Sequence, residues 1–129
     1  MPRVLTHFEI YGEEPHKLAG FYHEMFGWRI ERAPGVDYWR IDLGTSEDGI
    51  ANGGLTYRPM VACRGWVQYV SVTSLDASVA VAQHLGAKVL RAKTAVPKTA
   101  WYALLADPQG NVFAIWEPDP KAFPAPQPD

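Results

Sequence analysis

The apolar pattern opens with residues 4–11, "VLTHFEIY", a run rich in β-branched and aromatic side chains that predicts a strand. The period then changes. In "EEPHKLAGFYHEMFGW", Leu18, Phe21, Tyr22, Met25 and Phe26 recur at helical spacing. Pro15 suits a first helical position, where its missing N–H costs nothing, and Gly27 stands where a helix would stop. Strand-like pieces follow in "WRIE", "DYWRIDLG" and "GIANGGLTY". The same succession then returns. "GWVQYVSV" reads as a strand and Ser74 as a cap, and "LDASVAVAQHL" puts Leu75, Val79, Ala82 and Leu85 on one helical face before Gly86. "AKVLRA", "TAWYALLA" and "NVFAIWEP" complete the second half. The two stop glycines lie 59 residues apart, so the chain reads as one β-α-β-β-β plan used twice.

Neither half could cover its own sheet alone. The expected fold is α+β, with two βαβββ modules (about 4–60 and 64–118) pairing into a cupped, partly open mixed sheet with the helices outside. Residues 1–118 then form one domain. "DPQG" at 107–110 is turn chemistry that closes an antiparallel hairpin: Pro108 presets its φ, Asp107 can bond its own turn, and Gly110 can take positive φ. From residue 118 the chain carries five prolines and no periodicity, so residues 119–129 read as a solvated tail.

Composition narrows the function by exclusion. The chain has 129 residues, 47% apolar and 20% charged, enough to bury a core without help from disulfides or a metal. Cys63 is the only cysteine, which rules out an internal disulfide and a CxxC metal site. Net charge is −2 with lysines and arginines scattered singly, so neither nucleic acid nor an anionic membrane is an expected partner. No apolar run suits a signal peptide or a bilayer span, and the expected location is cytoplasmic.

Four segments, "HFEI", "FYHEMFGW", "WVQYVSVTSLDA" and "DPQGNVFAIWEP", resemble the vicinal oxygen chelate superfamily, which includes glyoxalase I, extradiol dioxygenases, and fosfomycin and bleomycin resistance proteins. The resemblance covers residues 4–118 and is most similar to the single-domain, glyoxalase-like branch. It implies a divalent metal acting as a Lewis acid, held by His, Glu or Gln side chains from the first and last strand of each module. His7, 20 residues before Gly27, matches the family's first-strand histidine. The second module's first-strand slot falls within Trp66–Gln68, where only Gln68 offers a donor, an amide oxygen. The last-strand slot, four residues after Gly110, is Ala114. A methyl group has no lone pair. Glu117, three residues on, belongs to the opposite face of a regular strand unless a bulge intervenes. The first module's last-strand slot, within "GIANGGLTY", offers Asn52. The expectation is therefore a degenerate metal site and no confident cofactor, with His7 and Gln68 the ligands if a divalent ion binds at all.

His7 then reads as a vestigial ligand, an acid–base group or a hydrogen-bonded wall residue. Glu9, two residues along, faces the same way and needs a partner, an arginine or a catalytic neighbour. Strand geometry sets their side chains about 6.6 Å apart, with room for a proton or a water between, and aromatic surroundings would raise the carboxyl's pKa. His16, His23 and His84 read as surface residues on the two helices. Five tryptophans and six tyrosines suggest an aromatic cup, for which Tyr38, Trp66, Gln68, Tyr69, Trp101 and Trp116 are the candidate ligand contacts. Two functions stay open: a metal-independent small-molecule binding protein, like the bleomycin resistance branch, and a lyase, isomerase or dioxygenase using His7 and Glu9. The resemblance also implies a homodimer.

Overall fold

In the computed structural model, which describes residues 5–44 and 53–124, the elements follow the order the periods predict. They are β1 (Leu5–Tyr11), α1 (Pro15–Phe26), β2 (Arg29–Arg32), β3 (Tyr38–Asp42), β4 (Gly53–Thr56), β5 (Trp66–Ser71), α2 (Leu75–His84), β6 (Lys88–Val96), β7 (Ala100–Ala106) and β8 (Val112–Pro118). The fold is mixed α+β, and each half repeats β-α-β-β-β. Asn52 lies outside the described residues. The chain divides into two compact units, residues 6–68 and residues 69–129 with 1–5, so the boundary falls inside β5 after Gln68.

In the first unit the strands run β2-β3-β4-β1. β2, β3 and β4 pair antiparallel and β4 pairs parallel with β1, in a register that sets Glu9 beside Gly54 and Arg40 beside Gly54. Pro15 opens α1, and Gly27, at φ 73°, ends it by donating its N–H to His23 O. The helix covers the sheet face that carries Ile10, Ile41 and Leu55, with Phe8, Leu18, Tyr22, Trp28 and Trp39 packed against them. Alternation sends His7, Glu9 and Tyr11 to the other face. The apolar stripe of α1 is wider than the sheet beneath it: Phe21, Met25 and Phe26, expected on the buried face, are each more than half exposed.

In the second unit the strands run β5-β8-β7-β6. β8 joins β5 in parallel and β7 antiparallel, and β7 pairs with β6. The helix-covered face holds Val72, Leu75, Ala103, Leu105 and Ile115, with Val79 and Ala82 of α2 against them. Ser74 caps α2 by accepting from Ala77 N. Leu85, expected on the packed face, lies beyond the last helical residue and is exposed. The "DPQG" turn forms as its chemistry requires: Asp107 Oδ1 accepts from Gln109 N and Asn111 N, and Gly110 sits at φ 87°. β6 continues to Val96, past the expected "AKVLRA", through two irregularities in its pairing with β7. The solvated tail needs correction over its first residues. Asp119 N donates to Thr99 O, Lys98 N donates to Ala122 O, and Ala122 is fully buried, so residues 119–122 dock on the β6–β7 turn. No helix among the described residues is long and apolar enough to cross a membrane.

Candidate functional site

The polar cluster of the first unit is built by three strands in register. His7, Glu9 and Tyr11 project from one face of β1 because they are two residues apart. Tyr38 opens β3, and the β3–β4 and β4–β1 pairings carry its ring across Gly54 to the same place. A Cβ at Gly54 would overlap Tyr38 Oη and Cζ, so only glycine lets the phenol lie there. Gly53 does the same on the other face, where a Cβ would press into the Phe8 ring at 2.6 Å.

The result is a connected set of hydrogen bonds. Tyr11 Oη donates to Glu9 Oε1 at 2.7 Å and Tyr38 Oη donates to Glu9 Oε2 at 2.9 Å. His7 Nε2 lies 3.2 Å from Glu9 Oε2 and 3.1 Å from Tyr38 Oη. With both phenol protons given to the carboxylate, the arrangement is consistent when His7 carries a proton on Nε2 and donates it to these oxygens. Glu9 is then an ionised acceptor. Its side chain is 14% exposed and that of His7 20%.

This geometry overturns two expectations. His7 and Glu9 touch directly and leave no room for a water between them, because both side chains lean along the strand toward each other. Burial alone, the largest single influence, would raise the Glu9 carboxyl. The hydrogen bonds from His7, Tyr11 and Tyr38, with the electrostatic attraction of His7, outweigh it and hold the carboxyl below its ordinary value. Glu9 is an anchored anion, and His7 is the group it orients.

Strand phase sorts the remaining candidates. On β5, Trp66 and Gln68 share one face, while buried Val67 and Tyr69 share the other. Trp66 stacks on Phe8 at 5.4 Å and meets Tyr22 and Trp28, so it belongs to the helix-side aromatic cluster and not to the surface that carries His7. Gln68, on the face of Trp66, is likewise removed from His7, which corrects the expected ligand pair. Trp101 lies on the helix-covered face of the second unit, packed against its core, with Nε1 donating to Asp119 Oδ2 and Lys93 over its ring. It too leaves the list of cup residues. Tyr69 and Trp116 share the other face of the second unit: their rings meet edge to face at 6.1 Å, and Ala114, Tyr69's register partner, lies on the same surface with Tyr102 and Arg91. Arg91 Nη1 donates to Tyr102 Oη at 3.2 Å.

Among the described residues, the side chains that the resemblance assigns to a divalent ion do not gather into a ligand set. The first module's last-strand slot falls partly outside the described residues, with Asn52; on β4 itself Gly54 faces His7 with its space filled by the Tyr38 ring, and on β8 Ala114 is a fully buried methyl. The strand is regular through Glu117, whose Oε1 accepts from Leu75 N at 2.7 Å and so helps to cap α2. Among the described residues no three His, Cys, Asp or Glu side chains gather to hold a metal. Sequence reasoning missed Tyr11 and Gly54. Tyr11 had a signal, its spacing of two from Glu9. The paired glycines inside a strand were a signal of close ring approach.

The profile of the glyoxalase-like domain family matches residues 8–116. Proteins named CFP32 from Mycobacterium bovis and Mycobacterium tuberculosis, with a provisional glyoxylase designation, are 29% identical over 117 residues. That match takes in 88% of this chain, which spans only 43% of those relatives' length. A methylmalonyl-CoA epimerase variant from Streptomyces coelicolor, bound to 2-nitronate-propionyl-CoA, superposes with a TM-score of 0.64 at 16% identity, covering 96% of this chain and all of that one. The methylmalonyl-CoA epimerase of Mycobacterium tuberculosis gives 0.60 at 16% identity, with 90% and 88% coverage. At such identities the likeness is one of fold.

Proposed function

The chain belongs to the glyoxalase-like domain family, and we propose that it is a small-molecule protein of that family working without the divalent ion. The observation that carries this reading is the Tyr38 ring lying over Gly54, with its hydroxyl bonded to both Glu9 and His7. The phenol fills the space over Gly54 beside His7, and Ala114 offers no lone pair, which supports a reading without the ion. The polar cluster offers an organic ligand an oriented imidazole, His7, and one anion, Glu9. Tyr69 and Trp116 are the aromatic contacts retained for a ligand on the second unit.

Calorimetric titration with Zn²⁺, Ni²⁺ and Mn²⁺ tests the reading. Tight binding of one ion per chain, abolished in His7→Ala, would overturn it; heats no larger than those of the His7→Ala variant are expected. A homodimer is part of this proposal, and light scattering at micromolar concentration should give about twice 14.4 kDa.

A catalytic reading is favoured by one further contact, the 3.2 Å approach of Glu9 Oε2 to His7 Nε2. A carboxylate that fixes the Nε2 proton places the basic lone pair on Nδ1 and steadies the imidazolium formed when Nδ1 takes a proton. Isomerase or lyase chemistry that begins with proton removal from carbon fits such a base. In that case His7→Ala would abolish turnover and Glu9→Gln would lower it by about 10²-fold, with a shifted pH profile.

A further inference from the structure

The seam between helix and sheet in the second unit is not filled by its own side chains. A cavity of about 470 Å³ opens there. Its floor is core: Leu105 is fully buried and Ile115 5% exposed, with Phe113 beside them. From α2 it is lined by Ala77, Ser78, Val81 and Ala82. The corresponding seam of the first unit shows why the gap exists. There α1 lays Leu18 and Tyr22 on the sheet, and Tyr22 stacks on Trp28 at 5.9 Å. In α2, Val79 and Ala82 do that work, and the missing side-chain volume is left as space over an apolar floor.

We infer that this cavity is a binding site for a compact, uncharged, apolar molecule, about the size of one or two aromatic rings. Its volume lies in the range of small-molecule sites, and apolar walls gain dispersion contacts when something other than water fills them. Charge decides the class of ligand. The one carboxylate in the lining, Asp107, is held at both oxygens by its own turn, through Gln109 N, Asn111 N and Asn111 Nδ2. Ser74 Oγ is engaged at the helix cap, and among the described residues no lysine, arginine or histidine lines the space. An ionic ligand would enter without a partner. The site shares no residue with the His7 cluster, since its described lining residues all belong to the second unit.

Fluorescence titration with N-phenyl-1-naphthylamine, an uncharged aromatic probe, tests the inference on the full chain. One saturable site per chain is expected, insensitive to salt and retained in His7→Ala, which keeps this result separate from the fate of the polar cluster. Ala82→Leu, which fills the seam, should weaken the probe at least about tenfold, with folding verified by circular dichroism. Ser78→Leu serves the same purpose should Ala82→Leu not fold. Absence of saturable binding, or unchanged affinity in a folded filled variant, would overturn the site. So would loss of self-association in the filled variants without any probe binding, because a second copy would then be the occupant.

Discussion

The two units share one plan and differ in what each face of the sheet carries. In the first, the face away from α1 holds a carboxylate, an imidazole and two phenols bonded to one another, and the helix side is closed by aromatic rings. In the second, the face away from α2 holds Tyr69, Ala114, Trp116 and Tyr102, while the helix side is built from small residues and stays open. A repeated backbone therefore does not repeat its chemistry. Glycines decide the difference in the first unit, since Gly53 and Gly54 let rings cross β4 on both faces. Alanines decide it in the second, where Ala114 removes a donor and Ala77 and Ala82 leave a seam unfilled.

The sharpest way to break the comparison is Gly54→Ala. The new methyl would overlap the Tyr38 ring, expel it from Glu9 and His7, and strand a half-buried carboxylate. A loss of about 3 kcal/mol in urea unfolding is expected, with Tyr38→Phe in the same background adding little. The exposed, unhindered Gly20 in the middle of α1 is the control for glycine substitution as such. There alanine should stabilise, by about 0.5–1 kcal/mol.

Glu9→Gln comes next. It keeps the shape but removes the anion that two phenols and an imidazole address, and a loss of about 2 kcal/mol is expected at pH 7. Because the folded carboxyl lies below its ordinary value of 4.5, the native state binds fewer protons than the unfolded one in that range. The contribution is thus fully present above that value and is lost as pH falls through the depressed folded one. Unfolding curves of wild type and Glu9→Gln should therefore converge as the pH is lowered below about 4.5. A gap that stays constant down to pH 3 would show that Glu9 is not held as an anion.

The smallest of the destabilising effects belongs to the second unit. Glu117→Ala removes the carboxylate that accepts from Leu75 N at the start of α2, leaving Ser74 to cap alone. A loss of about 1 kcal/mol is expected, with no change in any metal titration. A metal site that appeared or vanished with Glu117 would place a bulge in β8 and undo the assignment of its face.

Much of the architecture was legible because it depends on neighbours in the chain. Pro15, Gly27, Ser74 and the "DPQG" turn act within a few residues of themselves, and each does what its chemistry requires. The shared face of His7 and Glu9 is equally local, a matter of period two. The absence of a donor at Ala114 and the opposite facing of Glu117 follow from residue type and spacing alone. Three things depended on the tertiary structure. Tyr38 joins a residue 29 positions away only through the register of three strands and the missing side chain of Gly54. Trp66 and Trp101 were expected to line a cup and instead sit on helix-covered faces. Alternation says which residues share a face, and only packing says which face a helix covers. The direction of Glu9's pKa also belongs to packing. Burial and hydrogen bonding act on it with opposite signs, and the balance is set by two phenols and an imidazole that three paired strands bring to one carboxylate.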